Sequence, residues 1–161
     1  MSNVSDAARE FLAHRRLAVV GVSREPNQAA NLIYRTLRDR GYEVFAVNPA
    51  AEVAEGDRCY ARLAEIPGGV DGVVVVTPPE ASDAVADDCA ELGIRRVWLH
   101  RSFGTGSVSD AAVETCRRHG ITVIPGACPM MFLDGADFGH RCMRWILGVS
   151  GKLPSVTGAA A

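Results

Sequence analysis

Four consecutive valines, Val73–Val76, lie inside the stretch GVVVVTPP (72–79). Neighbouring side chains in a strand point to opposite faces, so an unbroken apolar run demands cover on both sides. That excludes a sheet with one wet face. It requires a parallel sheet between helices, with this strand at the centre or next to it. Four further apolar runs recur along the chain: LAVVG (17–21), EVFAVNP (43–49), RRVWLH (95–100) and ITVIP (121–125).

The segments between these runs have helical spacing. One runs from about Asn27 to Arg40, with Ile33 and Leu37 inward and Gly41 as its stop. A second, over 80–92, turns Val85, Cys89 and Leu92 inward and stops at Gly93; a third, over 109–119, ends at Gly120. The stretch CYARLAEIP (59–67) reads as a short helical crossover with Leu63 and Ile66 facing in. An opening helix is expected over 5–15, with Ser5 or Asp6 as N-cap and Phe11 and Leu12 inside, and a last one over 138–149, offering Met143, Ile146 and Leu147. Alternating strands and helices with right-handed crossovers predict an α/β, Rossmann-like doubly wound sheet of about five parallel strands in three layers, α/β/α. The 161 residues suit one domain over 1–150 and a loose tail over 151–161.

A net charge of −2 leaves no electrostatic footprint for nucleic acid or an anionic membrane. No apolar run approaches the roughly 18 residues of a membrane span. The first residues, MSNVSDAAREFLAHRR, lack the order of a signal peptide, so a cytoplasmic protein is expected. The five cysteines are odd in number and form no C-x-x-C pair, which suits reduced thiols. Cys116 with His119, and His140 with Cys142, match no common zinc spacing, so no metal is expected.

In a doubly wound sheet, ligands bind beyond the C-terminal strand ends. The loop after the first strand has the makings of a phosphate site: Gly21 removes a Cβ, Ser23 adds a hydroxyl, Arg24 adds charge, and a helix N-terminus follows. The dinucleotide fingerprint G-x-G-x-x-G is missing, because Gly21 is followed by Val22, Ser23, Arg24, Glu25 and Pro26. Strand two ends in Val47-Asn48-Pro49 rather than in the acid that holds an NAD ribose, and Glu43 sits at its other end. Both absences weigh against NAD. The loop Thr77-Pro78-Pro79 has two readings: a strand exit with proline at the first helical turn, or a rigid wall for an adenine or a pantetheine arm.

The segments VVGVS, VFAVNP, VVVVTPPEASDAVADDCAELGI and GITVIPGACPMMF, in this order and spacing, resemble the CoA-binding domain family. The likeness spans Leu17 to Leu133. It is to small stand-alone CoA-binding proteins and, more distantly, to the nucleotide-fold domain of the succinyl-CoA ligase alpha subunit. The resemblance implies that Gly21, Val22, Ser23 and Arg24 surround the CoA phosphates and that Asn48 and Pro49 lie beside the adenosine. It further implies that Pro78 and Pro79, opened by Thr77, line the same groove, and that Leu99, His100 and Arg101 belong to a ligand-touching loop. Cys128-Pro129 matches the family's Cys-Pro turn. The chain departs from many relatives at Asn27-Gln28-Ala29-Ala30 and Ala50-Ala51, where a lysine or a serine-rich stretch is usual, and in the loop 101–108.

Ligases of this class use a phosphorylated histidine on a following domain and a nucleotide-grasping subunit. Of the histidines here (His14, His100, His119, His140), only His100 falls at the rim, and no Ser/His/Asp set or carboxylate pair suggests itself. The expectation is therefore a protein that holds CoA or an acyl-CoA without catalysis of its own. The alternatives are a detached acyl-CoA ligase subunit completed by a partner chain, a nicotinamide-dependent oxidoreductase, or a thiol carrier forming a mixed disulfide through Cys128 or another cysteine. Besides CoA, the partners left open are a second copy of the chain and a ligase chain.

Overall fold

The computed structural model describes residues 3–135 together with 155, 156 and 158. Helix α1 (Val4–Ala13) opens the chain and leads into β1 (Arg16–Val20), α2 (Ala29–Asp39) and β2 (Glu43–Val47). A hairpin of β3 (Val53–Ala54) and β4 (Asp57–Tyr60) follows. Then come β5 (Gly72–Val75), α3 (Pro79–Glu91), β6 (Arg96–Leu99), α4 (Asp110–Arg118) and β7 (Thr122–Pro125). The sheet order is β3-β4-β2-β1-β5-β6-β7, and every pairing is parallel except β3 with β4. This is the Rossmann-like α/β fold, with the five expected strands running β2-β1-β5-β6-β7.

The valine run sits where its composition demands. Val73, Val74 and Val75 are wholly buried, and β5 pairs with β1 on one side and β6 on the other. Its side chains divide between two cores. Val74 joins Leu17, Val19, Trp98 and Ile124 under α1 and α2, while Val73 and Val75 join Ala18, Val20, Val97, Leu99 and Val123 under α3 and α4. Trp98 anchors the first core. It meets Phe11 edge-on at 5.4 Å and donates its indole N–H to the Gly126 carbonyl at 2.9 Å.

Several sequence expectations are corrected. Residues 59–60 end strand β4, in register with Ala46 and Val47 of β2, and only Leu63–Glu65 winds, as a single 3-10 turn. Leu63 and Ile66 are nevertheless buried. The hairpin signal was the pair Glu55-Gly56, both at positive φ (54° and 79°), which suits a two-residue turn between short strands. Helix α1 is capped by Asn3, whose side chain accepts the Ser5 N–H, rather than by Ser5 or Asp6. Helix α2 begins two residues later than expected, which lengthens the loop after β1. Leu92, expected inside, is the C-cap of α3 and 46% exposed, while Cys89 faces inward as expected, together with Ser82 and Ala86. The helix expected over 138–149 lies outside the described residues, as does the tail over 151–161 apart from 155, 156 and 158. No helix among the described residues is long and apolar enough to cross a membrane.

Two substitutions test this layout by chemical denaturation. Val75→Asp buries an unpaired carboxylate between two helical layers and should cost at least about 3 kcal/mol. Val53→Asp places the same charge on the exposed edge strand β3 and should shift stability by no more than about 0.5 kcal/mol.

Candidate functional site

The chain order reverses between β1 and β5: β1 leads outward to β2, and β5 leads the other way to β6 and β7. Beyond the C-terminal ends of these strands lie five loops along one ledge, and polar bonds join the first to the second and the third through the fourth to the fifth. Asn48 donates its side-chain N–H to the Val22 carbonyl at 3.0 Å, joining the second loop to the first. The Thr77 N–H donates to Ser107 Oγ at 2.9 Å, joining the third loop to the fourth. The Arg101 N–H donates to the Ala127 carbonyl at 3.0 Å, joining the fourth to the fifth.

Gly21 stands at the reversal, with φ 109° and its N–H donated to the Val47 carbonyl at 2.8 Å. A Cβ there would come within 2.1 Å of the Val76 carbonyl oxygen. The neighbouring strand end therefore dictates glycine, whatever lies above. Val22 is fully buried, and among the described residues its N–H and that of Arg24 meet no protein acceptor. Ser23 is engaged internally. Its N–H donates to Asn31 Oδ1 at 3.1 Å, its carbonyl accepts from Asn31 Nδ2 at 2.7 Å, and its hydroxyl accepts the Glu25 N–H at 3.1 Å. Arg24 reaches into solvent. Gln28, the N-cap of helix α2, makes no side-chain cap bond, so the first amides of the helix have no side-chain acceptor at the cap.

In the second loop, Asn48 is half-buried and Pro49 exposed. Both ends of the Asn48 amide are engaged, since Oδ1 also accepts the Ala50 N–H at 2.9 Å. In the third, Pro78 is the N-cap of α3 and Pro79 its first residue, while Thr77 Oγ1 shares a 3.0 Å hydrogen bond with the buried Ser82 hydroxyl. Pro78 stays on the open surface. The two prolines thus serve as the strand exit and helix start.

His100 is only 7% exposed. Its backbone N–H donates to the Val75 carbonyl at 2.9 Å, and its Nε2 lies 3.1 Å from Ser102 Oγ. Burial holds its imidazole down at about 4, so the ring is neutral at physiological pH and serves as donor or acceptor without charge. Among the described residues no carboxylate bonds this ring. Arg101 is half-buried, and its guanidinium lies against Gly126. The thiols of Cys59, Cys89 and Cys116 are pushed up by burial, Cys116 to about 11, so they stay protonated at neutral pH. Cys128 is buried at the base of the fifth loop. No three His, Cys, Asp or Glu side chains gather as a metal site among the described residues.

Sequence reasoning missed the residues that brace the ledge: Asn31, Ser82, Ser107 and Glu55. For Asn31 a signal existed. It is a fully buried polar residue on the face of α2 that otherwise carries Ala30, Ile33, Tyr34 and Leu37, and an amide in that position needs partners. Ser107 and Ser82, equally buried, carry no such pattern in the sequence.

Comparison with known proteins agrees with the fold. Residues 15–134 match the family model described as the CoA binding domain. A relative from Bacillus subtilis (strain 168), the "Uncharacterized protein YneT", is 32% identical over 80% of this chain and 93% of its own length. The alpha subunit of "Acetate--CoA ligase [ADP-forming] II" from Pyrococcus furiosus is 27% identical over 73% of this chain, which spans only 27% of that subunit. Among solved structures, a "hypothetical protein from Pyrococcus horikoshii OT3" superposes with a TM-score of 0.73 at 25% identity, covering 78% of this chain and 87% of that one. The chain belongs to the CoA binding domain family.

Two measurements probe the site's groundwork. Gly21→Ala should lower stability in denaturant by at least about 1 kcal/mol, through its φ and the Val76 carbonyl, whereas Arg24→Ala should leave it unchanged. A glycine needed only for a ligand would leave the Gly21→Ala protein as stable as the parent. The second measurement follows the depressed His100. Between about 4 and 6.5 the unfolded chain binds a proton that the folded chain refuses, so stability rises with pH through that window and is lost as pH falls through it. In His100→Gln that contribution disappears. The parent-minus-variant difference should change by up to about 1.4 kcal/mol per pH unit inside the window and be flat above pH 7.

Proposed function

We propose that this chain, as a member of the CoA binding domain family, holds CoA or an acyl-CoA along the C-terminal strand ends without catalysis of its own. The observation that carries this reading is the family match, which runs from the base of β1 to beyond the turn after β7 and so takes in all five rim loops. The donor set fits an anionic, extended ligand. The Val22 and Arg24 amides lack protein acceptors among the described residues, Arg24 is free to reach an anion, and the first turn of α2 carries the positive end of its dipole. Pro49 and Pro78 offer stiff apolar edges for an adenosine and a pantetheine arm, and the neutral His100 suits an uncharged amide or thiol better than a phosphate. Bound CoA would supply a thiol on which an acyl group is carried. In this reading Gly21, Val22, Ser23 and Arg24 form the phosphate end, with Asn48 and Thr77 acting as braces behind it. The reduced cysteines fit a cytoplasmic setting.

A second reading, a detached subunit of an acyl-CoA ligase, is favoured by one specific finding. The ligase alpha subunit from Pyrococcus furiosus carries a matching segment, and this chain spans about a quarter of that protein. Under that reading, acyl-CoA turnover requires a separate chain with the missing parts.

A ligand that binds only the folded state adds RT ln(1 + [L]/Kd), about 2.7 kcal/mol at a hundredfold excess over Kd. For a domain of this size that raises the melting temperature by roughly 5–10 °C. CoA should produce such a shift by differential scanning, and NADH at equal concentration should not. Stabilisation by NADH in excess of that by CoA would overturn the proposal, as would acyl-CoA hydrolysis by the purified chain alone.

A further inference from the structure

We infer that Glu55, acting through Asn31 and Arg35, is the positioning residue that presets the loop after β1 for its ligand. The inference rests on the CoA-binding reading only for the identity of that ligand. Glu55 opens the turn between β3 and β4 at φ 54°, a conformation that a non-glycine residue adopts only when its surroundings hold it there. Its side chain does not stay with the hairpin. It is only 11% exposed and reaches across to α2, where Oε1 accepts from Asn31 Nδ2 at 2.7 Å and from Arg35 at 2.8 Å. The ion pair and the amide offset the desolvation of the carboxylate.

Both partners then grip the loop. Asn31 binds the Ser23 N–H and carbonyl, and the same Arg35 nitrogen donates to the Pro26 carbonyl at 2.9 Å. Among the described residues, the third side chain tying the loop down is Asn48, on the Val22 carbonyl. Two of these three side-chain anchors therefore converge on one carboxylate oxygen. Its chemistry also decides which way the Asn31 amide faces. A carboxylate only accepts, so the amide nitrogen must point at Glu55 and at the Ser23 carbonyl, leaving Oδ1 for the Ser23 N–H. Turned over, the amide would oppose like groups on all three. Glu55 thereby keeps Ser23 folded inward and fixes the path of Arg24, whose amide has no protein acceptor among the described residues. A loop ordered before binding forfeits less affinity to ordering on binding.

The test separates reach from charge on the full chain. Glu55→Asp keeps the charge and tolerates the left-handed turn but falls a methylene short of Asn31 and Arg35. Glu55→Gln keeps the reach and the acceptor oxygen without the charge. Glu55→Asp should speed hydrogen exchange of the Ser23 amide about tenfold while the Val74 amide in β5 exchanges as in the parent, and it should raise the Kd for CoA by a similar factor. Glu55→Gln should restore both. Parent-like Ser23 exchange in Glu55→Asp would overturn the inference, as would a Glu55→Gln protein as impaired as Glu55→Asp. If the parent itself takes up no CoA in the titration, the CoA reading fails, and the exchange arm still decides the role of Glu55.

Discussion

The parallel pairing of β1 with β5 is the contact on which the rest of the structure depends. Each strand is buried on both faces, so each needs a helical layer above and below, and the connections that lead away from the pair supply those layers. Because β1 leads to one side and β5 to the other, the connections above their C-terminal ends diverge, over a floor where Gly21 packs against the Val76 carbonyl. The close approach of these two backbones explains the glycine, its positive φ and the placement of the first loop. The position of the site is thus a consequence of how two apolar strands are covered.

Above that floor polar side chains hold the loop backbones. Asn31, Asn48 and Ser107 each bond a loop backbone, and each is wholly or partly buried. Several side chains that a sequence reader would assign to a ligand are therefore engaged with the protein. Ser23 and Asn48 have their polar groups taken up in the loops, and Thr77 in the start of α3. What stays unengaged on these loops among the described residues is simpler: the Val22 and Arg24 amides, the exposed Arg24 side chain, and the exposed Pro49 and Pro78. Such a surface suits a long anionic ligand held at many weak points, which is what the CoA binding domain family would require of it.

Near the ledge no pair of groups is set for acid–base chemistry among the described residues. The imidazole of His100 is kept neutral by burial, and Ser102 beside it has no acid behind the histidine. The thiols of Cys59, Cys89 and Cys116 are held protonated by burial.

The fold class and the five parallel strands were legible in the sequence, because burial on two faces writes itself as unbroken apolar runs and helical faces as spaced ones. Glycine stops at 41, 93 and 120 were legible for the same reason: a left-handed residue leaves little choice of side chain. The hairpin of β3 and β4 was not legible, since four residues from Asp57 to Tyr60 carry no period strong enough to outweigh a helical reading, and only pairing with β2 makes them a strand. Nor was the true reason for Gly21, which lies on a strand distant in sequence. The bond from Glu55 to Asn31 spans 24 residues and joins a hairpin turn to a helix. A sequence by itself states which residues must be buried and where the backbone must turn. Which polar atoms meet once it has turned depends on distances across the sheet, and these exist only in the folded chain.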